Sequence, residues 1–441
     1  MPGVRPPRRA PAGRVANAGE IHVHERRAVL TASLLLFLLL TGIMILQPVR
    51  ETLGLTRGID NVRRLFLVTV ASTLLVAPLF GWLVARVSRR RLMAVSLRLG
   101  TVILLGFFVG LTWSSEPARS SLAAAYYVFH SVFSLLAISL FWALMADHFS
   151  FAESKRLFPT IALGGSLGAI AGSLMAWQLV RLFGLQALFL PAALLLELSV
   201  WAAGGVWRTR APHPTSAGPP GPLGGPSLAG ITALARSSYL RGIGLLVVLV
   251  GLVSTLLYFT GLRMVAGISD SPERQTALFA HINLWTQVAT LAAQAFLASR
   301  IMRLAGVGCA LAVLPVLSVS GFAVLAAAPT LLAFTVVNAL FRAAQQGIAG
   351  PAQETLFTVL NRQEKYKAKS FLDTFGIRAG DAGGAFLDQL LPALGSSPHP
   401  LSLTVLGLAA LWLALCGFLA RAQLRLGRQA GAPPRFRKTI R

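Results

Sequence analysis

Apolar runs of about 20 residues recur along the chain between short polar segments, and a helix of that length crosses the roughly 30 Å of a bilayer's hydrocarbon. The pattern predicts twelve spans, at 28–49, 65–85, 92–113, 121–146, 157–180, 185–206, 242–262, 276–299, 304–327, 331–350, 370–391 and 401–420. Between the sixth and seventh spans the pattern lapses. There the stretch 211–227 holds six prolines and four glycines in seventeen residues, which reads as a flexible linker. The expected organisation is a basic, disordered cytoplasmic tail at 1–27, a six-helix part at 28–207, a linker at 208–241, a second six-helix part at 242–420 and a basic tail at 421–441.

The two parts read as parallel repeats. Arg86-Val-Ser-Arg89 after the second span matches Arg300-Ile-Met-Arg303 after the eighth. Lys155 with Gly164, Gly168 and Gly172 matches Lys367 with Gly376, Gly380 and Gly384 at a constant offset of 212. Glycines four apart let helix backbones approach closely, so the fifth and eleventh spans are expected to be tight packing helices. The fold class that follows is an all-α integral membrane protein, with twelve transmembrane helices in two pseudo-repeat halves. That layout is the architecture of major facilitator transporters, which bind substrate at the midplane between halves.

Composition agrees with the pattern: 55% of residues are apolar, 12% are charged, and the mean hydropathy is +0.68. A formal charge of +25 raises the question of nucleic acid, but the basic residues sit in short clusters between apolar runs and form no soluble basic domain. Lysine and arginine number 29 on the side of the tails and linker and 8 on the opposite side, with Arg98, Arg342 and Arg378 inside spans. By the positive-inside rule both termini are cytoplasmic. The tail 1–27 is too long and too rich in proline and arginine for a cleavable signal. Cys309 and Cys416 lie within spans without metal-ligand spacing and read as buried packing residues.

A charge inside a span costs about 2.5–3.5 kcal/mol at the helix centre and needs a partner or a wet cavity. Several spans carry polar stripes at helical spacing: Gln47, Arg50, Glu51 and Gly54; Tyr127, His130 and Ser134; Asn283, Gln287, Thr290 and Gln294; Asn338, Arg342, Gln345, Gln346 and Ala349. Such stripes either line an aqueous path or hydrogen-bond neighbouring helices. The segment 362–384 concentrates more charge. Projected at 100° per residue, Asp373 joins Gly376, Gly380 and Gly384, whereas Arg378, Asp381 and Asp388 take the adjacent arc. In the first repeat Asp373, Arg378 and Asp381 align with Ile161, Ser166 and Ala169, so the symmetry breaks where charge enters the membrane.

Lys155, Lys367 and Lys369 would guard a cytoplasmic mouth or simply anchor the inner face. Arg98 is close enough to Arg91 to snorkel, and Glu197 has no partner visible in the sequence. His130 and His281 read as polar helix contacts ahead of proton carriers, and Arg86, Arg89, Arg90 and Arg91 as topological charge. The chain has no GxxxxGK[ST] loop, HExxH, GxSxG or carboxylate cluster with metal spacing, so an enzyme, a nucleotide-driven motor and a metal or other cofactor are not expected.

Three patches resemble the ATP:ADP antiporter family, the nucleotide translocases of plastids and intracellular bacteria, with their broader bacterial relatives. Pro48-Val-Arg-Glu-Thr-Leu53 is similar to the family's basic-acidic-Thr-Leu core, which sets Arg50 and Glu51 at its Lys-Asp pair. Phe141-Trp-Ala-Leu-Met-Ala-Asp147 with Glu153-Ser-Lys-Arg-Leu-Phe-Pro159 resembles its Phe-Trp and Glu-Ala-Lys-Arg-Phe-Tyr-Pro segments. Pro351-Ala-Gln-Glu354 with Lys365-Tyr-Lys-Ala-Lys-Ser-Phe-Leu-Asp373 resembles its Asp-Pro-x-x-Glu and Lys-x-Lys-Gly-Lys-Ala-Ala-Ile-Asp segments. Two positions depart from the pattern: Tyr258 stands about where the seventh span usually carries an acid, and Gly350 stands for the Asp before proline.

The resemblance implies a bacterial inner-membrane exchanger whose basic residues meet phosphate. On that reading Arg50, Arg342, Arg378, Gln287 and Tyr258 bind an anionic solute, a nucleotide or other phosphorylated metabolite, while Glu51, Asp373, Asp381 and Asp147 form gating or resting ion pairs. Two other readings stand beside it: a proton-coupled carrier of a lipid or drug-like substrate, with Asp381 or Glu197 titrating, and a membrane scaffold or sensor without transport. The lipid bilayer is the one sure partner; nucleic acid is not expected and the oligomeric state is open.

Overall fold

The computed structural model describes residues 23–209, 234, 237–360, 368–369, 371–390 and 399–429, and every regular element among them is helical. The first six long helices are α1 (Val23–Leu55), α2 (Ile59–Arg86), α3 (Arg89–Trp113), α4 (Glu116–His148), α5 (Phe151–Phe183) and α6 (Phe189–Thr209). Then come α7 (Ser238–Ile268), α8 (Pro272–Ala292), α9 (Ala298–Ala327), α10 (Leu331–Ala344), α11 (Gly350–Leu356), α12 (Ile377–Leu390) and α13 (His399–Gln429). Nine helices among the described residues are long and apolar enough to cross a membrane. The protein is a multi-pass membrane protein.

The expected eighth, tenth and eleventh spans are not among those nine. Each is interrupted by a π-turn, at Ala293–Leu297, Gln345–Ala349 and Leu372–Gly376 respectively. A π-turn adds a residue to one helical turn and disturbs the i→i−4 ladder, a feature that recurs at functional sites. Here the turns contain Gln294, Gln345 with Gln346, and Asp373, so the wound defect and the polar side chains coincide. The first two turns pack on each other: a methyl on Gly347 would lie 3.2 Å from the Ala293 Cβ. The ninth span begins after a break at Gly306, whose φ of 78° is left-handed.

Short connections join several successive helices. Gly58, at φ 82°, ends the turn from α1 to α2. Ser150 caps α5 reciprocally with Glu153, whose carboxylate accepts the Ser150 backbone N–H at 2.8 Å. The acid of the family-like Glu-Ser-Lys-Arg run therefore starts its own helix.

α5 lies against α1 through its glycines: a methyl at Gly164, Gly168 or Gly172 would run into the backbone carbonyls of Ser33, Phe37 and Thr41. α12 lies against α7 in the same way, with Gly380 and Gly384 over the carbonyls of Val248 and Leu252. Gly376 departs. Its nearest neighbours are the Leu372 and Val247 side chains at 3.3 Å, because the π-turn ends the glycine register one turn early.

Buried apolar residues form two clusters. One runs from Ala28 to Val206 with Ala277. The other runs from Tyr239 to Leu419 and takes in Leu55, Val62, Leu65 and Tyr127 from the earlier helices. Those four lie toward the α1–α2 turn, where α2 also meets α12 and α5 meets α8.

Several boundaries move. α1 runs six residues beyond 49, so Arg50, Glu51 and Gly54 are inside the helix, and Arg63 and Arg64 are inside α2. Cys309 is exposed on the outward face, not packed; Cys416 is buried as expected. The tail 1–22, most of the linker (210–233 and 235–236) and 430–441 lie outside the described residues.

Candidate central site

Four side chains from three helices close into a hydrogen-bonded ring. On α1, Arg50 Nη1 donates to Glu51 Oε1 at 2.9 Å, and Arg50 Nη2 donates to the Tyr127 hydroxyl of α4 at 2.9 Å. Tyr258 of α7 donates to Glu51 Oε2 in a short contact. The Tyr127 and Tyr258 hydroxyls are 2.9 Å apart; since Tyr258 has given its proton to Glu51, Tyr127 must be the donor in that bond. The Arg50 guanidinium also lies 4.2 Å from the centre of the Tyr127 ring, within cation–π range. Its Nε is buried with no partner among the described residues. Phe66 of α2 stacks on Tyr258, with centroids 5.9 Å apart.

A second pair lies on α12, where Arg378 Nη1 donates to Asp381 Oδ2 at 3.0 Å and Thr255 of α7 donates to Asp381 Oδ1 at 3.4 Å. Between the two groups is Arg342 of α10, within electrostatic reach of both Asp381 and Glu51. It differs from the other two arginines. Among the described residues it makes no ion pair; it donates only to Gln345 Oε1 at 3.5 Å, and Gln345 donates on to Ser254 at 3.5 Å. That glutamine is the first residue of the π-turn at Gln345–Ala349.

Gln287 of α8 faces α1, its Nε2 3.9 Å from the Met44 sulfur. The α10 stripe is partly structural, since Asn338 donates to Thr286 of α8 at 2.9 Å. His130 contacts the Ile43 carbonyl at 3.2 Å, and His281 accepts from Trp285 at 3.0 Å, so both are helix contacts.

Other expected residues lie elsewhere. Asp147 pairs with Arg89, which also donates to the Ala143 carbonyl at 3.2 Å; this pair ties α4 to α3, and Arg89 has a partner that a purely topological charge would lack. Asp373 does not share the glycine face. It is exposed while Gly376, Gly380 and Gly384 are buried, because the π-turn rotates it away from the regular helix that follows. Its charged neighbours are Lys369 and Glu354. Lys369 is bonded to both Glu354 oxygens, at 2.7 and 2.6 Å. Lys367 and the side chain of Lys155 lie outside the described residues.

The sequence reading missed a cluster near the α1–α2 turn. Asp388 of α12, 1% exposed, accepts from Arg63 Nε at 3.0 Å and Nη2 at 2.9 Å, and from Arg263 Nη1 of α7 at 2.6 Å. Its position on the arc of Arg378 and Asp381 was a signal, but its partners are 325 and 125 residues away in sequence. Nearby Thr276 donates to Thr52 at 2.9 Å, another bond from α8 to α1.

This combination of paired charges within a bundle of interrupted helices can be set beside known proteins. Residues 227–422 match the family model described as TLC ATP/ADP transporter. This chain is similar to the TLC ATP/ADP transporters. An ADP,ATP carrier protein 1 of Chlamydia muridarum is 23% identical over 313 residues, 62% of this chain and 59% of the relative. The carrier of the same name from Chlamydia pneumoniae is 22% identical over 340 residues, 66% of this chain and 65% of that one. The matches thus span roughly three fifths of the length of these relatives.

Among solved structures, the POT family transporter PepTSo superposes with a TM-score of 0.64 at 13% identity, covering 92% of this chain and 99% of that one. The nucleoside transporter NupG (D323A mutant) gives 0.59 at 14% identity, covering 90% and 99%. At such identities the likeness is one of fold, the major facilitator type.

Proposed function

We propose that this chain is a secondary-active transporter that exchanges an anionic solute, a nucleotide or other phosphorylated metabolite, by alternating access. The reading takes the fold as twelve spans in two six-helix halves, with both termini cytoplasmic in a bacterial inner membrane. The observation that carries it is Arg342. A half-buried guanidinium within a span, with no carboxylate paired to it among the described residues, is a cation in need of an anion. Arginine's planar fork suits bidentate contact with phosphate.

Around it the other charges are satisfied in exchangeable ways. A phosphate arriving at Arg342 competes with Glu51 for Arg50 and with Asp381 for Arg378. Taking Arg50 opens the ring that links α1 and α4 to α7, so binding and the contact between halves are coupled through one guanidinium. Tyr258 supports the same closed arrangement by donating to Glu51 from the position where the related pattern carries an acid. The similarity to ATP/ADP transporters favours a nucleotide over other anions.

The test is uptake of labelled solute into proteoliposomes preloaded with unlabelled nucleotide. Uptake that depends on the internal load supports exchange. Absence of exchange across ATP, ADP, GTP and inorganic phosphate overturns the nucleotide version, and uptake driven by an imposed pH gradient into empty vesicles would favour a proton-coupled carrier.

A further inference from the structure

Arg98 of α3 and Glu197 of α6 form an ion pair at 3.4 Å on the outside of the bundle, with side-chain exposures of 60% and 35%. Glu197 therefore has a partner, and neither residue bonds to the central ring of Arg50, Glu51, Tyr127 and Tyr258 among the described residues. Arg98 is about 13 Å along α3 from its first residue, Arg89, and Glu197 is about 18 Å along α6 from its last, Thr209. A side chain snorkelling to the interface does not cover such distances comfortably. Their surroundings are apolar and outward-facing: Val95, Leu99 and Val102 on α3, and Leu194, Leu198 and Trp201 on α6. Among the described residues Glu197 Oε2 and the remaining Arg98 N–H groups have no protein partner. Hydrocarbon offers them none.

We infer that the α3–α6 face is an interface with a second copy of this chain. One positive and one negative group side by side at the same depth are self-complementary about a two-fold axis along the membrane normal. Arg98 of each copy then meets Glu197 of the other, so each charge gains a second partner while the outward Val, Leu and Trp side chains pack together. The interface is independent of what the central site binds.

The test uses full-length protein carrying either of two fluorescent labels, reconstituted in liposomes over a range of dilutions, with dimers counted by single-molecule co-localisation. Wild type is expected to dimerise. Arg98→Glu or Glu197→Arg alone puts like charges across the axis and is expected to lower the dimer fraction at least tenfold. Mixing the two single variants, one all acidic and one all basic at this site, is expected to recover dimers that carry both labels. The swapped double variant, Arg98→Glu with Glu197→Arg, restores self-complementarity and is expected to dimerise as wild type does.

A wild type that stays monomeric throughout, single variants that dimerise unchanged, or a mixture that recovers nothing overturns the interface. If the reversed variants do not insert, the neutral Arg98→Gln/Glu197→Gln chain carries the test: its dimer fraction falls with the charges, and an unchanged fraction overturns the proposal.

Discussion

Arg50, Arg342 and Arg378 are three guanidiniums inside spans, and their company differs. Arg50 and Arg378 each hold a carboxylate, whereas Arg342 has only a distant amide. Charge-assisted hydrogen bonds are worth about 1.5–3 kcal/mol, so losing those from Arg342 to a bound phosphate is expected to weaken affinity by roughly 10- to 100-fold. Arg342→Ala should show this loss in a thermal-shift titration with nucleotide. Arg342→Lys should recover part of it, since charge persists but the fork does not; unchanged ligand stabilisation in Arg342→Ala would remove the residue from the site. Tyr258→Phe deletes the donor to Glu51 and breaks the ring while leaving every formal charge in place. Exchange in this variant is expected to change with little loss of thermal stability, which counterflow and melting curves read separately.

At the scale of elements, the glycine stripes of α5 and α12 are packing devices against α1 and α7. Gly168 and Gly380 each leave no room for a Cβ because a backbone carbonyl of the facing helix, Phe37 or Val248, occupies the space. Overpacking of this kind costs about 1–3 kcal/mol. Gly168→Ala and Gly380→Ala are therefore expected to lower the melting temperature by several degrees. Gly81→Ala, where nothing lies within 4 Å, should leave it unchanged within error. The π-turns belong to this scale too. They shorten the regular helices of the tenth and eleventh expected spans to 14 residues each, and Gly376 and Asp373 lose the register that regular periodicity assigns them.

For the whole molecule, the two apolar clusters are joined near the α1–α2 turn by Arg63, Asp388 and Arg263, with the Thr52–Thr276 bond beside them. Asp388 is buried between two arginines, and removing one partner of a buried ion pair costs about 3–5 kcal/mol. Asp388→Asn is expected to loosen this end and shift the conformational equilibrium toward opening on that side. Spin labels on the ends of α2 and α12 should report a longer distance population in the variant, and distances identical to wild type would show that the cluster is not a lock.

Much of this was legible in the sequence because lipid imposes a simple rule: long apolar runs must be helices, and charges within them must be paired or wet. That rule pointed to the helices and picked out Arg50, Glu51, Arg342, Arg378 and Asp381 as charges within spans, glycine spacing pointed to the packing stripes, and the three patches around Arg50, Phe141 and Lys365 carried the resemblance. It could not give partners. Asp388 meets Arg63 and Arg263, Tyr258 meets Glu51 and Arg98 meets Glu197 across long sequence separations, and only the packing of helices fixes which side chain stands opposite which. Local winding was equally hidden. A π-turn arises from how neighbouring helices and side chains load one turn of backbone, so the tertiary structure alone decided that Asp373 leaves the glycine face that regular periodicity assigns it.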